Sequence, residues 1–350
     1  MRYLHLTFLF CVLSVFSANP AYLPSTTTNN LNSDTANSTS ANDVEPTATN
    51  VILQSKDGGQ TWQDISQGLP ENQALEDFFA GESAVYLRIK DGLYSSKSNL
   101  TTPVWEKENI PGLQYASIAF IRSGVMAYNY GGQVYRKIPA TGNWLPMYTN
   151  LEKNGIRTVF ETSDGVVFVG RDDGFYKSVD KGLSWNHVQN GGLVMGVVES
   201  EGVLIGTSPR GIMRSTDNGK HWESVINEGG VGIAVERIHG GFAAISYNTT
   251  TKSRRIHISL DKGKTWKAID DGLQASASIS SIKQMGSYLV CGHPDGIFRS
   301  SDMGKTWNIV HPSVDKEFKL TFIKTVNNGR VFKLYVSGNI LYAVARNSGC

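Results

Sequence analysis

An eight-residue pattern, Ser-x-Asp-x-Gly-x-Thr/Ser-Trp, constrains this chain more than any other feature. It runs from Ser55 to Trp62, from Ser178 to Trp185, from Ser259 to Trp266 and from Ser300 to Trp307. A fifth copy, Ser215 to Trp222, carries His221 at the seventh position, and two degenerate copies have lost the Asp but keep Trp105 and Trp144. Together these use all seven tryptophans of the 350 residues, at spacings of 43, 39, 41, 37, 44 and 41. A period near 40 residues belongs either to helical pairs or to the blades of a propeller, each a four-stranded sheet.

The sequence between the copies decides between these. Runs such as Val166–Val169, Val203–Ile205 and Tyr288–Val290 are short and rich in β-formers, which argues against helical repeats. Each is followed by a tight Gly turn: Asp91-Gly92, Asp173-Gly174, Arg210-Gly211 and Asp295-Gly296. Charged residues make up only 18%, against ~25% in typical soluble domains, and 36 glycines are more than the usual ~7%. Both figures suit a turn-rich all-β chain. The repeat unit therefore reads as inner strand A, strand B, a Gly turn, strand C, the octapeptide as the C–D turn, and strand D beginning at the Trp. Within the octapeptide the Asp can accept backbone N–H bonds, the Gly permits positive φ, and the Trp pins the hairpin to the sheet. Asp57, Asp180, Asp217, Asp261 and Asp302, with Trp62, Trp185, Trp222, Trp266 and Trp307, are accordingly assigned structural roles. Identical residues in every blade serve a task every blade shares, not calcium or catalysis.

Strand counting gives seven antiparallel four-stranded blades. The first octapeptide is preceded by a single strand, Val51–Gln54, and the tail offers two, near Val331–Val336 and Ile340–Ala345. The N-terminal C–D hairpin is expected to complete the C-terminal A–B pair, closing the ring and removing free sheet edges. Residues 313–330 fit this scheme poorly. Leu320–Ile323 reads as an extra strand or as part of the last inner strand.

Residues 1–17 read as a secretory signal, with Arg2 ahead of an apolar stretch from Leu4 to Phe16 and small Ser17 at the cleavage point, Ala21 being a second candidate. Residues 18–49, rich in Ser, Thr and Asn, read as a disordered linker that cannot bury enough apolar surface to fold. The propeller is expected over 50–350. No later segment has 18 consecutive apolar residues, so no membrane-spanning segment is expected in the mature chain. The expected location is secreted, periplasmic or cell surface. Cys291 and Cys350 remain after the signal is removed and fall near one face of neighbouring blades; a bridge between them and two free thiols both stay open. Asn37, Asn99 and Asn248 are glycosylation sequons in a glycosylating host. A surplus of two basic residues over acidic ones does not suit a nucleic-acid-binding protein.

The octapeptides resemble the Asp-box, or bacterial neuraminidase repeat, of sialidases, sortilin-type receptors, xyloglucan-active glycosidases and photosystem II assembly factors. The resemblance covers about residues 50–350 and is specific for the propeller, not for chemistry. Sialidases imply six blades, an Arg-Ile-Pro motif, three arginines and a Tyr/Glu pair. This chain counts seven blades, and its nearest motif, Tyr135-Arg136-Lys137-Ile138-Pro139, has an intruding Lys. Xyloglucan-active enzymes imply two seven-bladed rings, for which there is no room. A single ring behind a signal most resembles the assembly-factor type, which implies protein partners and no cofactor.

In propellers the working face usually carries the D–A and B–C loops. On that face the repeat places Lys90 and Asp91, Tyr128 and Tyr130, Arg171, Asp172 and Asp173, Arg210, Lys252 and Arg254, Asp270 and Asp271, and His293 and Asp295. Arg171, Arg210, Tyr130, Lys252 and His293 are the ligand-contact candidates. The scattered histidines have no zinc spacing, and no phosphate loop, dinucleotide fingerprint or Gly-x-Ser-x-Gly is present, so neither metal nor cofactor is expected. The first expectation is a non-catalytic propeller that binds a protein or a glycan through this face. The second is a glycoside hydrolase of exo-sialidase-like type, which needs two carboxyl groups about 5–10 Å apart. Asp172 or Asp173, with Asp271 or Asp295, are its candidates.

Overall fold

The short runs rich in β-formers fold as strands. A computed structural model describes residues 51–347, apart from 70–74, 99, 101, 150, 152–154, 191–193 and 315–329. All of these lie in one unit, 46–350. The described residues form 28 strands in seven antiparallel four-stranded sheets. The chain opens with β1 (Ile52–Ser55) and β2 (Gln63–Asp64). Blade I follows as β3 (Leu75–Ala80), β4 (Ala84–Ile89), β5 (Gly92–Lys97) and β6 (Glu106–Lys107). Blade II is β7 (Ser117–Ile121) to β10 (Trp144–Met147), and blade III is β11 (Ile156–Glu161) to β14 (Asn186–Asn190). Blade IV is β15 (Gly196–Ser200) to β18 (Glu223–Ile226), and blade V is β19 (Gly229–Ile238) to β22 (Lys267–Ala268). Blade VI is β23 (Ser281–Met285) to β26 (Asn308–Pro312).

Blade VII is composite. Strand β27 (Arg330–Ser337) pairs with β28 (Ile340–Asn347), and β28 then pairs with β1, Ile52 facing Val344 and Ser55 facing Leu341. The first and last described strands thus share one sheet, as strand counting requires. Each inner strand touches the inner strand of the next blade, from I through VII and back to I. The protein is a seven-bladed β-propeller.

Its core is divided. Buried apolar residues fall into seven clusters, one in each gap between neighbouring blades. Both faces of every sheet are therefore covered, so the B strands read as continuous apolar runs. Val167–Arg171 and Val203–Ser208 are buried at every position.

The octapeptide is a hydrogen-bonded turn. In the copy ending at Trp307, the Ser300 hydroxyl donates to Asp302 at 2.8 Å and accepts from the Gly304 N–H at 2.8 Å, while Asp302 accepts from the N–H of Thr306 at 2.9 Å and its hydroxyl at 2.7 Å. The same bonds recur around Asp57, Asp180 and Asp261, and Asp217 accepts from His221 instead. Asp180 is drawn down to about 2 by the Ser178 hydroxyl, then by the hydroxyl and N–H of Ser184. Position five is Gly at φ 76 to 87, as its role in the turn requires, but position four is also left-handed: Lys181, Asn218, Lys262 and Met303 have φ of 57 to 61. The sequence carried no sign of that, because four different residue types occupy the position.

The tryptophans reach toward the preceding blade. Trp222 packs edge-on against Phe175 at 5.5 Å, Trp307 donates to the Ile269 carbonyl at 2.7 Å, and Trp144 donates to Glu108 at 2.7 Å. Only Trp144 opens its D strand; elsewhere the strand begins one residue later. The tryptophan backbone is still completing the turn while its ring fills the gap between blades.

Five expectations fall outside the described residues: the leader 1–17, the linker 18–49 with its sequon at Asn37, the sequon at Asn99, the run Leu320–Ile323 and Cys350. Cys291 is a wholly buried thiol in β24 (Tyr288–His293), and burial pushes its pKa up. Among the described residues no helix is long and apolar enough to cross a membrane.

Candidate functional site

The ring has two mouths. One carries the B–C turns and the D–A connections, the other the A–B turns. All the sequence candidates lie at the first.

Arg171 ends β12 (Val167–Arg171) and is 2% exposed. Its guanidinium lies 3.1 Å from Asp173 and stacks 4.5 Å from the centre of the Tyr176 ring, while the Tyr176 hydroxyl donates to Asp173 at 2.9 Å. Arg171 and Asp173 thus clip their own hairpin. His293 is also 2% exposed. Its Nε2 donates to the Gln274 carbonyl at 2.8 Å, which leaves Nδ1 to accept the Asp295 N–H at 3.2 Å. The imidazole ties the B–C turn of blade VI to the loop that enters it.

Tyr130, Asp172 and Arg157 form an open cluster between blades II and III. The Tyr130 hydroxyl donates to Asp172, Arg157 donates to the other carboxylate oxygen at 2.7 Å, and the guanidinium lies 4.6 Å from the centre of the Tyr130 ring. The bond to Asp172 raises the Tyr130 pKa. Burial works against ionisation of Asp172, but the bonds from Arg157 and Tyr130 outweigh it and hold the carboxyl below its usual range. The ring needs Gly155 beneath it, where a Cβ would lie 2.1 Å from the tyrosine carbon.

Arg210 and Lys252 are exposed on their turns, Lys252 with φ 53. Asp271 is exposed in the loop leaving blade V, and Asp295 is half exposed in blade VI. The structure therefore brings Tyr130 together with Asp172, Arg171 with Asp173, and His293 with Asp295. It leaves Asp271 and Asp295 on a different part of the ring from Asp172 and Asp173.

Three arrangements had no precedent in the sequence reading. The first is a cavity of about 400 Å³ on the loop face, between the Lys90-Asp91 turn of blade I and the segment entering blade II. The second is a charged cluster in blade V. Arg255 meets Asp270 at 2.6 Å, His257 stands 3.6 Å from Glu228, and Ser246 donates to Glu228 at 2.6 Å. Burial holds the His257 pKa below its ordinary value, against the pull of Glu228 and Asp270.

The third lies at the opposite mouth, a cavity of about 890 Å³ lined by the ends of inner strands. There Glu161 accepts the Arg122 N–H and Glu199 accepts the Ser163 N–H at 3.0 Å, and outside the cavity Gln284 accepts the His239 N–H in the same way. Each is a side chain near the end of one inner strand satisfying the A–B turn of the preceding blade. A Glu or Gln ahead of that turn in three repeats was the available signal. Among the described residues no group of three metal-ligating side chains occurs.

No known family profile matches the sequence, and no curated protein matches it. Solved structures do resemble the fold. The GH74 xyloglucanase from Xanthomonas campestris superposes with a TM-score of 0.56 at 14% identity, over 72% of this chain and 50% of that one. A catalytically inactive virginiamycin B lyase from Staphylococcus aureus with quinupristin gives 0.56 at 10%, over 79% and 96%. YCF48 bound to D1 peptide gives 0.51 at 14%, over 73% and 84%. This chain spans half the length of the xyloglucanase and nearly the whole of the lyase. At such identities the likeness is one of fold, and these neighbours include both enzymes and a protein in complex with a peptide.

Proposed function

We propose that the chain is an exported, non-catalytic propeller of the Asp-box type that binds a protein partner or glycan through its loop face. The observation that carries this reading is how the acidic groups of that face are used. Asp172 and Asp173 are each held by an arginine of the same blade, Arg157 and Arg171, while His293 holds Asp295 through its backbone N–H and leaves its carboxylate half exposed. A glycoside hydrolase needs two carboxyl groups facing one substrate bond, and the candidates are divided between blade III and the region of blades V and VI. Outward the face offers Tyr115, Tyr130, Lys90, Arg210 and Lys252, with Asp271 and Asp295 among them. Tyr115, Tyr130 and Arg210 are of the types enriched at contact surfaces. The YCF48 neighbour, seen with a peptide, is consistent with a peptide-binding role for this fold.

A second reading, an exo-sialidase-like glycoside hydrolase, is favoured by the Tyr130–Asp172–Arg157 cluster, an exposed tyrosine hydroxyl against a carboxylate and a guanidinium. The two readings separate in one experiment. A panel of fluorogenic sialosides and other glycosides is expected to give no turnover. Turnover that disappears in Asp172→Asn would replace the first reading by the second. Export through residues 1–17 is tested by N-terminal sequencing of the mature protein, where a first residue of Ala18 is expected.

A further inference from the structure

The cavity of about 400 Å³ on the loop face has a built interior. The apolar part of its lining is Ile110 and Leu113, both half buried, set over Ile89 and Leu93, which belong to the closed cores of the adjoining gaps between blades. Its rim is basic. Lys90 is exposed, and Lys107 lies across the hairpin, held 3.1 Å from Asp91, which also accepts the Tyr94 hydroxyl at 2.9 Å. Gly92 makes room for Lys107, whose chain would lie 3.1 Å from a Cβ there. The other acid of the lining, Glu108, is turned away. It receives Ser95 at 2.6 Å, Trp144 at 2.7 Å and the Lys137 ammonium. Arg88 is committed too, to Glu76 and to the Ala116 carbonyl at 2.8 Å. Two rim lysines against the single Asp91 leave the opening with a positive surplus.

Tyr115 stands at the same opening, 70% exposed, with φ 54. A bulky residue in the left-handed region is strained, and such strain concentrates at binding sites. Here Arg88 enforces it by donating to the carbonyls of Tyr115 and Ala116. The ring is thereby presented to solvent instead of being folded onto the apolar lining.

We propose that this cavity is the point at which the loop face reads a polypeptide partner, and that it takes an acidic side chain flanked by an aliphatic one. The aliphatic group packs on the apolar lining, the carboxylate meets Lys90 and Lys107, and Tyr115 covers the peptide backbone. A free sugar acid would satisfy the rim but leave the apolar lining uncovered, which favours the polypeptide. The inference rests on the loop face being a binding surface and assigns the subsite within it.

The test is an NMR titration of the intact chain with the capped peptide Gly-Leu-Glu-Glu-Leu-Gly and its Gln-for-Glu counterpart. The acidic peptide is expected to shift resonances within 90–93 and 107–116. Affinity should fall at least tenfold in the Gln peptide and in the Lys90→Glu, Lys107→Glu double variant. Lys90→Gln with Lys107→Gln should give an intermediate loss, and 0.5 M NaCl should weaken binding. Equal binding of the two peptides, or binding unaffected by charge reversal, overturns the proposal. Acidic-peptide shifts confined to other loops overturn this subsite while leaving the loop-face reading intact. A hexuronate oligosaccharide that binds here when the peptide does not overturns the polypeptide assignment alone.

Discussion

Arg346 Nη1 lies 2.8 Å from the Asp77 carboxylate, across 269 residues of sequence. Arg346 belongs to β28 of the composite blade and Asp77 to β3, the inner strand of blade I, so the pair spans the junction at which the ring closes. A second Arg346 nitrogen reaches the Glu76 carbonyl, and Arg88 stands 3.7 Å from the other Asp77 oxygen. Burial lowers the Arg346 pKa tendency, but Tyr335 and Asp77 outweigh it and raise the value overall. Lys333, also near Asp77, has its pKa lowered by burial. Removing Asp77 would leave these cations facing one another. Asp77→Asn is expected to cost about 2–4 kcal/mol, below or within the range for breaking a buried pair. The urea midpoint checks it, and a change under ~0.5 kcal/mol would refute the closure role.

The octapeptide carboxylates set an acid limit. Asp57, Asp180, Asp217 and Asp302 sit at about 2 in the folded chain against an ordinary value of 3.8. Their contribution is complete above about pH 5 and is lost as pH falls toward 2, because the unfolded chain binds protons first. His257, lowered by burial, adds a loss that begins as pH drops below its ordinary 6.5. Urea unfolding from pH 7 to pH 2 should therefore show two descending stages. Asp302→Asn should shrink the lower stage and leave the upper one in place.

Gly292 in β24 packs where a Cβ would lie 2.0 Å from the Phe332 carbonyl oxygen, between blades VI and VII. Backbone cannot yield as a side-chain tip can. Gly292→Ala is expected to destabilise by about 3 kcal/mol, at the upper end for overpacking. Near-wild-type thermal unfolding of this variant would mean that the two blades slide apart at little cost.

Lys181 tests the other side of turn geometry. It is exposed at φ 61 and has no backbone freedom to spare. Lys181→Gly should raise stability by up to about 1 kcal/mol, the relief of left-handed strain exceeding the added chain entropy. A fall in the urea midpoint would show that the lysine side chain stabilises the turn.

Cys291 should resist alkylation in the native state, because its buried thiol is held in the neutral form. Peptide mass analysis after native and denatured labelling reads this. A thiol that stays protected in denaturant until reductant is added would establish a bridge, with Cys350 the expected partner. One that labels on unfolding alone would exclude it.

The octapeptides, their period and the short apolar runs determined the seven blades, the strand order and the ring closed by β1 and β28. They could do so because turns and short strands are local: Asp302 bonds within four residues, and β24 is a continuous apolar run because both its faces are covered. The octapeptide tryptophans were legible as members of the turn, but not their reach into the gap toward the preceding blade, as of Trp222 to Phe175.

What the loop face presents was decided only by the tertiary structure. The sequence set Arg171, His293 and Arg210 side by side as turn neighbours of the same kind. Folding buried the first two against Tyr176 and Gln274 and left Arg210 in solvent. The clasps from Glu161, Glu199 and Gln284, the Arg346–Asp77 junction and the pocket at Tyr115 all join residues from different blades or connections. Their distances depend on how neighbouring blades are rotated against each other. That rotation is fixed by packing in the seven gaps, and no repeat unit encodes it alone.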